Sequence, residues 1–130
     1  MTDRRLAQAI IDLKIPRFGP NQKNKSDSPS CLFRPRRLLS SPEILSHVGQ
    51  EIARVVLEKC SSQTIVGLAT SGIPWAAIAA EKAGLPMLFV RKSIEPVESN
   101  DMLEGVIPKD NRVVLVDDLL FVGDSKRKAV

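Results

Sequence analysis

Val113-Val114-Leu115-Val116-Asp117-Asp118-Leu119-Leu120-Phe121-Val122-Gly123-Asp124-Ser125 is the stretch on which the fold turns. Its four leading apolar residues suit a strand buried on both faces of a parallel sheet. Two adjacent carboxylates, Asp117 and Asp118, stand where that strand would emerge. Small and polar residues follow, then the basic run Lys126-Arg127-Lys128, which suits the start of a helix. Open α/β sheets bind ligands at the carboxyl ends of their strands. Strand, acidic pair, small-residue loop and helix is therefore the order that a sugar-phosphate site requires. The carboxylates can accept hydrogen bonds from ribose hydroxyls, and amides at a helix start can hold a phosphate.

Working outward from this stretch, alternating strands and helices accumulate. Residues 64–69 read as a strand, 72–83 as a helix stopped by Gly84, and 87–90 as a second strand. Residues 112–116 then make the third strand. Such alternation predicts an open parallel α/β sheet with flanking helices. Residues 92–110 form a long polar connection, a length that is usually functional or disordered. Ahead of the core, Ser41-Pro42-Glu43 is a good helix start. Ile44, Val48, Ile52, Val55 and Val56 mark its expected buried face, which runs to about residue 59. Leu6, Ala9, Ile10 and Leu13 predict an amphipathic helix over 3–14, ended by Pro16. Residues 16–30, rich in Pro, Asn, Lys and Ser, read as a loop, and 31–33 as a short edge strand limited by Pro35. The expected organisation is an N-terminal helix and small hood over 1–40 and an incomplete core over 41–130.

Composition narrows the classes. A chain of 130 residues with 43% hydrophobic content is long enough for one domain with a real core. Cys31 and Cys60 are too few for a disulfide framework and suit a reducing compartment. No apolar run approaches a membrane span, and the start lacks the apolar core of a signal peptide. These features predict a cytoplasmic protein with no membrane partner. The net charge of +4 suits anionic substrates. It would also suit nucleic acid, but Arg34, Arg36, Arg37 and 126–128 lack interleaved aromatics, and no recognition motif supports that partner. His47, the one histidine, has no catalytic or metal-binding companion nearby in sequence and reads as a structural residue.

The opening stretch resembles the phosphoribosyl-pyrophosphate (PRPP) signature of the type I phosphoribosyltransferases. A second match is longer. Ile65-Val66-Gly67-Leu68-Ala69-Thr70-Ser71-Gly72-Ile73-Pro74-Trp75-Ala76-Ala77, with Gly84-Leu85-Pro86-Met87-Leu88-Phe89-Val90-Arg91-Lys92, resembles the orotate phosphoribosyltransferase subfamily. Phe18-Gly19, Ser28-Pro29 and Arg36-Arg37-Leu38-Leu39-Ser40-Ser41-Pro42 are similar to that subfamily's hood. The resemblance implies transfer of phosphoribosyl from PRPP to orotate, giving orotidine 5′-phosphate and pyrophosphate in UMP synthesis. It implies a homodimer, and Mg²⁺ that is carried by PRPP with no direct protein ligand. It also implies that the chain stops after the PRPP motif, with the C-terminal part of the core missing. A natural truncation and a fragment of a longer product both stay open.

Residue by residue, the resemblance places Asp117 and Asp118 on the ribose hydroxyls, where they favour positive charge on the sugar, as the catalytic pair. The bland alternative is a solvated turn. PRPP binding would extend through Leu119, Leu120, Phe121, Val122, Gly123, Asp124 and Ser125, with Gly123 and Ser125 receiving the 5′-phosphate. Thr70, Ser71 and Gly72 match the pyrophosphate loop, whose bland alternative is an ordinary helix cap. Arg91 and Lys92 match a pyrophosphate-binding pair, against the alternative of two solvated charges. Phe121 falls at a position that touches orotate.

The chain also departs from its pattern. Phe121 and Val122 replace hydroxyl residues, and Asp124 puts a carboxylate where it would repel phosphate. The segment 93–105 lacks the family's Lys and His. It carries Glu95, Glu98 and Asp101 instead, and only Glu104-Gly105 keeps the ending. A non-catalytic PRPP- or nucleotide-binding regulator, and an inert truncated product, therefore stand beside the enzyme as readings.

Overall fold

Helix α1 spans Asp3–Asp12. It closes with Leu13 N–H donating to the Ala9 carbonyl (3.0 Å) and Ile15 N–H to the Ile10 carbonyl (3.0 Å). Lys14 takes a left-handed φ of 49°, which turns the chain away before Pro16. The computed structural model describes residues 3–20, 29–92, 102–106, 109 and 112–119. They fall in two compact units, Met1–Ile44 and Leu45–Val130.

In the first unit, β1 (Pro16–Pro20) pairs antiparallel with β2 (Pro29–Phe33), with Phe18 opposite Cys31. All of β1 and the start of β2 lie in the stretch expected to be loop. The prolines misled that reading. Pro16, Pro20 and Pro29 sit at the ends of a two-stranded ladder, where a missing N–H costs little. A 3₁₀ helix follows over Pro35–Ser40 and buries Pro35 and Leu38. Arg37 Nη1 donates to the carbonyls of Leu13 (2.9 Å) and Lys14 (3.4 Å). One member of the basic cluster thus ties down the two carbonyls of the turn that follows α1.

Helix α2 is Pro42–Val55 and widens into a π-helical turn, Val56–Cys60. Ile44 and Val56 are buried as expected, together with Gly49 and Ala53, whereas Val48 and Ile52 are half-buried and Val55 is exposed. The middle of the expected face was thus turned by about one residue. Small side chains explain the shift. A Cβ on Gly49 would lie 2.7 Å from Ile78, so the bare backbone is what lets α2 approach that residue.

In the second unit, β3 (Thr64–Leu68) is buried throughout and central. It pairs in parallel with β4 (Met87–Val90) on one side and β6 (Val113–Val116) on the other. Between β3 and β4 runs α3, Gly72–Ala83, stopped by Gly84 at φ 65° as expected. A short strand, β5 (Leu103–Glu104), adds antiparallel to β4, inside the stretch read as one connection. The sheet order is β5-β4-β3-β6, so a parallel core carries one antiparallel edge. Two residues are too few to leave a periodic signal, which is why β5 was not visible in the sequence. The expectation that β6 is buried on both faces fails at its start. Val113 is 44% exposed, and Val116 is the buried member. Among the described residues β6 has a strand neighbour on one side only.

Candidate active site at the strand tips

The carboxyl ends of β4, β3 and β6 lie side by side, because the three strands are parallel and in register. Leu68 is opposite Val90, and Gly67 is opposite Val116. The chain leaving β3 stays in line, with Ala69 N–H donating to the Val90 carbonyl (2.9 Å). The Ala69–Thr70 peptide is cis. Helix α3 then begins almost at once, and Gly67 explains how. A Cβ there would lie 3.0 Å from both the Ala76 Cβ and the Ile73 Cα, so α3 rests directly on the strand backbone.

Gly72 makes the decisive contact. A Cβ at this position would run into the Val116 carbonyl oxygen and lie 3.1 Å from the Asp117 Cα. The turn 69–72 and the acidic pair, 45 residues apart in sequence (117 − 72), are therefore backbone neighbours. Only glycine permits that approach. Thr70 is exposed and Ser71 half-buried at this junction. Ser71 is not an ordinary helix cap. Its backbone is already helical (φ −77°, ψ −30°), and its side chain makes no capping hydrogen bond.

Asp117 and Asp118 are both half-buried. The Asp118 amide donates to Asp117 Oδ1 (2.9 Å), which turns the chain as it leaves β6. Leu119 is exposed. The remaining expected contacts, Leu120, Phe121, Val122, Gly123, Asp124 and Ser125, lie outside the described residues.

Arg91 and Lys92 follow β4, next to the turn. Lys92 is exposed, as expected of a solvent-facing cation. Arg91 is not. Its guanidinium is paired with Glu104 of β5, and its side chain is only 24% exposed. Its backbone N–H donates to the Met102 carbonyl (2.7 Å). Glu104 stood out in the sequence only as the end of a motif, with nothing to give it a role. Trp75, one turn into α3, was also missed. Its ring is buried, and its indole N–H meets no acceptor among the described residues.

The phosphoribosyl transferase domain model matches residues 36–130. This chain belongs to that family. Among curated members of the phosphoribosyl transferase family, the orotate phosphoribosyltransferase of Staphylococcus haemolyticus is 30% identical over 98% of this chain. Among solved structures, Leishmania donovani UMP synthase superposes with a TM-score of 0.77 at 30% identity, over 99% of this chain and 28% of that one. The orotate phosphoribosyltransferase of Aeropyrum pernix superposes with a TM-score of 0.70 at 26% identity, over 95% of this chain and 70% of that one. The chain spans 65% of the Staphylococcus relative's length. The neighbours share the sheet with flanking helices seen here. No helix among the described residues is long and apolar enough to cross a membrane.

Proposed function

We propose that this chain binds PRPP at the tips of β3, β4 and β6 as part of an orotate phosphoribosyltransferase. The observation that carries the reading is the seat of Gly72 against the Val116 carbonyl and the Asp117 Cα. It sets the start of α3, where the first amides have no partner within the helix, beside two carboxylates. The amides of Ser71 and Gly72 suit pyrophosphate oxygens. Asp117 and Asp118 suit the ribose hydroxyls. In the reaction the bond from ribose C1 to pyrophosphate breaks as the orotate nitrogen bonds to C1. The carboxylates then favour the positive charge that builds on the ring. Positioning supplies much of the remaining rate.

Mg²⁺ fits as a cation arriving on PRPP. The residues at hand offer hard carboxylate oxygen. No group of three or more His, Cys, Asp or Glu side chains that could hold a metal occurs among the described residues. When bound, the ion would neutralise pyrophosphate oxygens, and Asp117 and Asp118 would meet it through its waters. A homodimer and a cytoplasmic setting belong to the same proposal. Nucleic acid does not, since the basic clusters carry no interleaved aromatics and no recognition motif.

Calorimetric titration with Mg-PRPP tests the reading. Saturable binding that weakens at least ~10-fold in Asp117→Asn is the expected result, from the loss of one charged hydrogen-bond acceptor. Asn retains an oxygen for the Asp118 amide, so the turn should survive. Absence of heat from the wild-type chain, or unchanged affinity in the variant, would overturn the proposal. A second reading, a non-catalytic PRPP-binding protein, is favoured by the engagement of Arg91 with Glu104 and by the acidic residues of 93–105. Orotate consumption separates the two: binding without turnover selects the second, and sustained turnover excludes it.

A further inference from the structure

We propose that Glu104 is a built-in carboxylate competitor for Arg91, one that any anionic ligand of the site must displace and that therefore sets how tightly the site takes phosphate groups. The inference rests on the reading of Arg91 as part of a PRPP site. Register places the two residues together. Glu104 is opposite Phe89, so Arg91, two residues on, is its diagonal neighbour on the same sheet face. The strand bearing Glu104 is held in place. Arg91 N–H donates to the Met102 carbonyl (2.7 Å). Gly105, at φ 111°, fits against the Leu88 side chain where a Cβ would collide. Glu104 is thus a fixed counter-ion and not a wandering surface acid.

The pair is also shielded. Arg91 and Glu104 side chains are 24% and 37% exposed, whereas Arg5–Glu43 is 71% and 66% exposed. Water and salt weaken the former pair less. Yet the guanidinium is not saturated. Its Nε–H is buried and meets no acceptor among the described residues. A ligand oxygen that merely replaces Glu104 exchanges one carboxylate-type contact for another. A phosphate or pyrophosphate group that takes Nη2 must first displace Glu104, and it gains in net only by adding a further charge-assisted hydrogen bond, such as one to Nε once Glu104 has moved. The displaced carboxylate still repels the ligand from nearby, and repels the more highly charged anion more.

Calorimetry with inorganic pyrophosphate and inorganic phosphate, on the full chain, tests the proposal. In Glu104→Gln both anions should bind tighter, phosphate about 3-fold and pyrophosphate about 10-fold, because Arg91 becomes available to both and the repulsion removed grows with ligand charge. The preference for pyrophosphate should widen, and the gains should shrink in high salt. In an Arg91→Ala background the same substitution should tighten either anion by less than about 2-fold, and equal gains in the two backgrounds would overturn the competitor role. Should Glu104→Gln fail to fold, Glu104→Asp, which keeps the charge but withdraws it by one methylene, should shift both affinities in the same direction by less. If the wild type binds Mg-PRPP and neither Glu104 variant tightens either anion, the competitor role is wrong and the site stands. If no protein in the series binds Mg-PRPP or either anion, the site reading falls and this proposal with it.

Discussion

Gly72→Ala places a methyl group where the structure has the Val116 carbonyl oxygen and, at 3.1 Å, the Asp117 Cα. Both obstacles are backbone, so no side chain can swing aside. Relief requires α3 and the tip of β6 to separate by roughly an ångström in a close-packed interior. Overpacking of this kind costs about 1–3 kcal/mol. In an open helix the same substitution stabilises by up to about 1 kcal/mol, because alanine is the better helix former. The two effects oppose each other, and steric conflict with backbone is the larger. A net loss of about 1–2 kcal/mol follows from that difference. For a chain of this size it lowers the melting temperature by roughly 3–8 °C. The separation also moves the turn away from the acidic pair, and an error of that size costs on the order of 100-fold where geometry matters. Thermal unfolding and Mg-PRPP calorimetry on the same preparation measure both. A melting temperature equal to or above wild type would refute the backbone contact, and with it the shared pocket. A lower melting temperature with unchanged affinity would show that the contact exists but does not organise the binding site.

Gly105→Ala meets two obstacles, a left-handed φ of 111° and the Leu88 side chain. It should destabilise by about 2–4 kcal/mol, read by chemical denaturation, with the additional mutation Leu88→Ala failing to restore it because the backbone penalty persists. A loss under about 0.5 kcal/mol would mean that β5 is not seated as described. Trp75→Phe removes a buried donor that has no acceptor among the described residues and should change stability by less than about 1 kcal/mol. Trp75→Ala should cost about 3–5 kcal/mol from the cavity it leaves, and equal effects of the two would show that the indole N–H has an important partner.

Reading residues alone suffices for the parallel core. The apolar runs 64–68, 87–90 and 113–116 and the helix 72–83 with its Gly84 stop are local signals, set by side-chain periodicity and backbone preference. The positions of Thr70, Ser71, Gly72, Arg91, Lys92, Asp117 and Asp118 beside the strand tips are visible the same way, because tips can be placed once the strands are known, while the roles proposed for them rest on the family resemblance. The local signal fails where a contact is distant. Proline-flanked β1 and β2 look like loop, since a ladder's end tolerates what its middle does not. Leu103-Glu104 is a strand only because β4 offers it an edge. The buried stripe of α2 follows Gly49, whose worth lies in Ile78 across the interface. Above all, Arg91 reads as an open cation until the return of the chain sets Glu104 against it. Which strands form is written in nearest-neighbour chemistry. Which charges remain available depends on what the fold brings within a few ångströms, because ion pairing and close packing act through space and not along the chain.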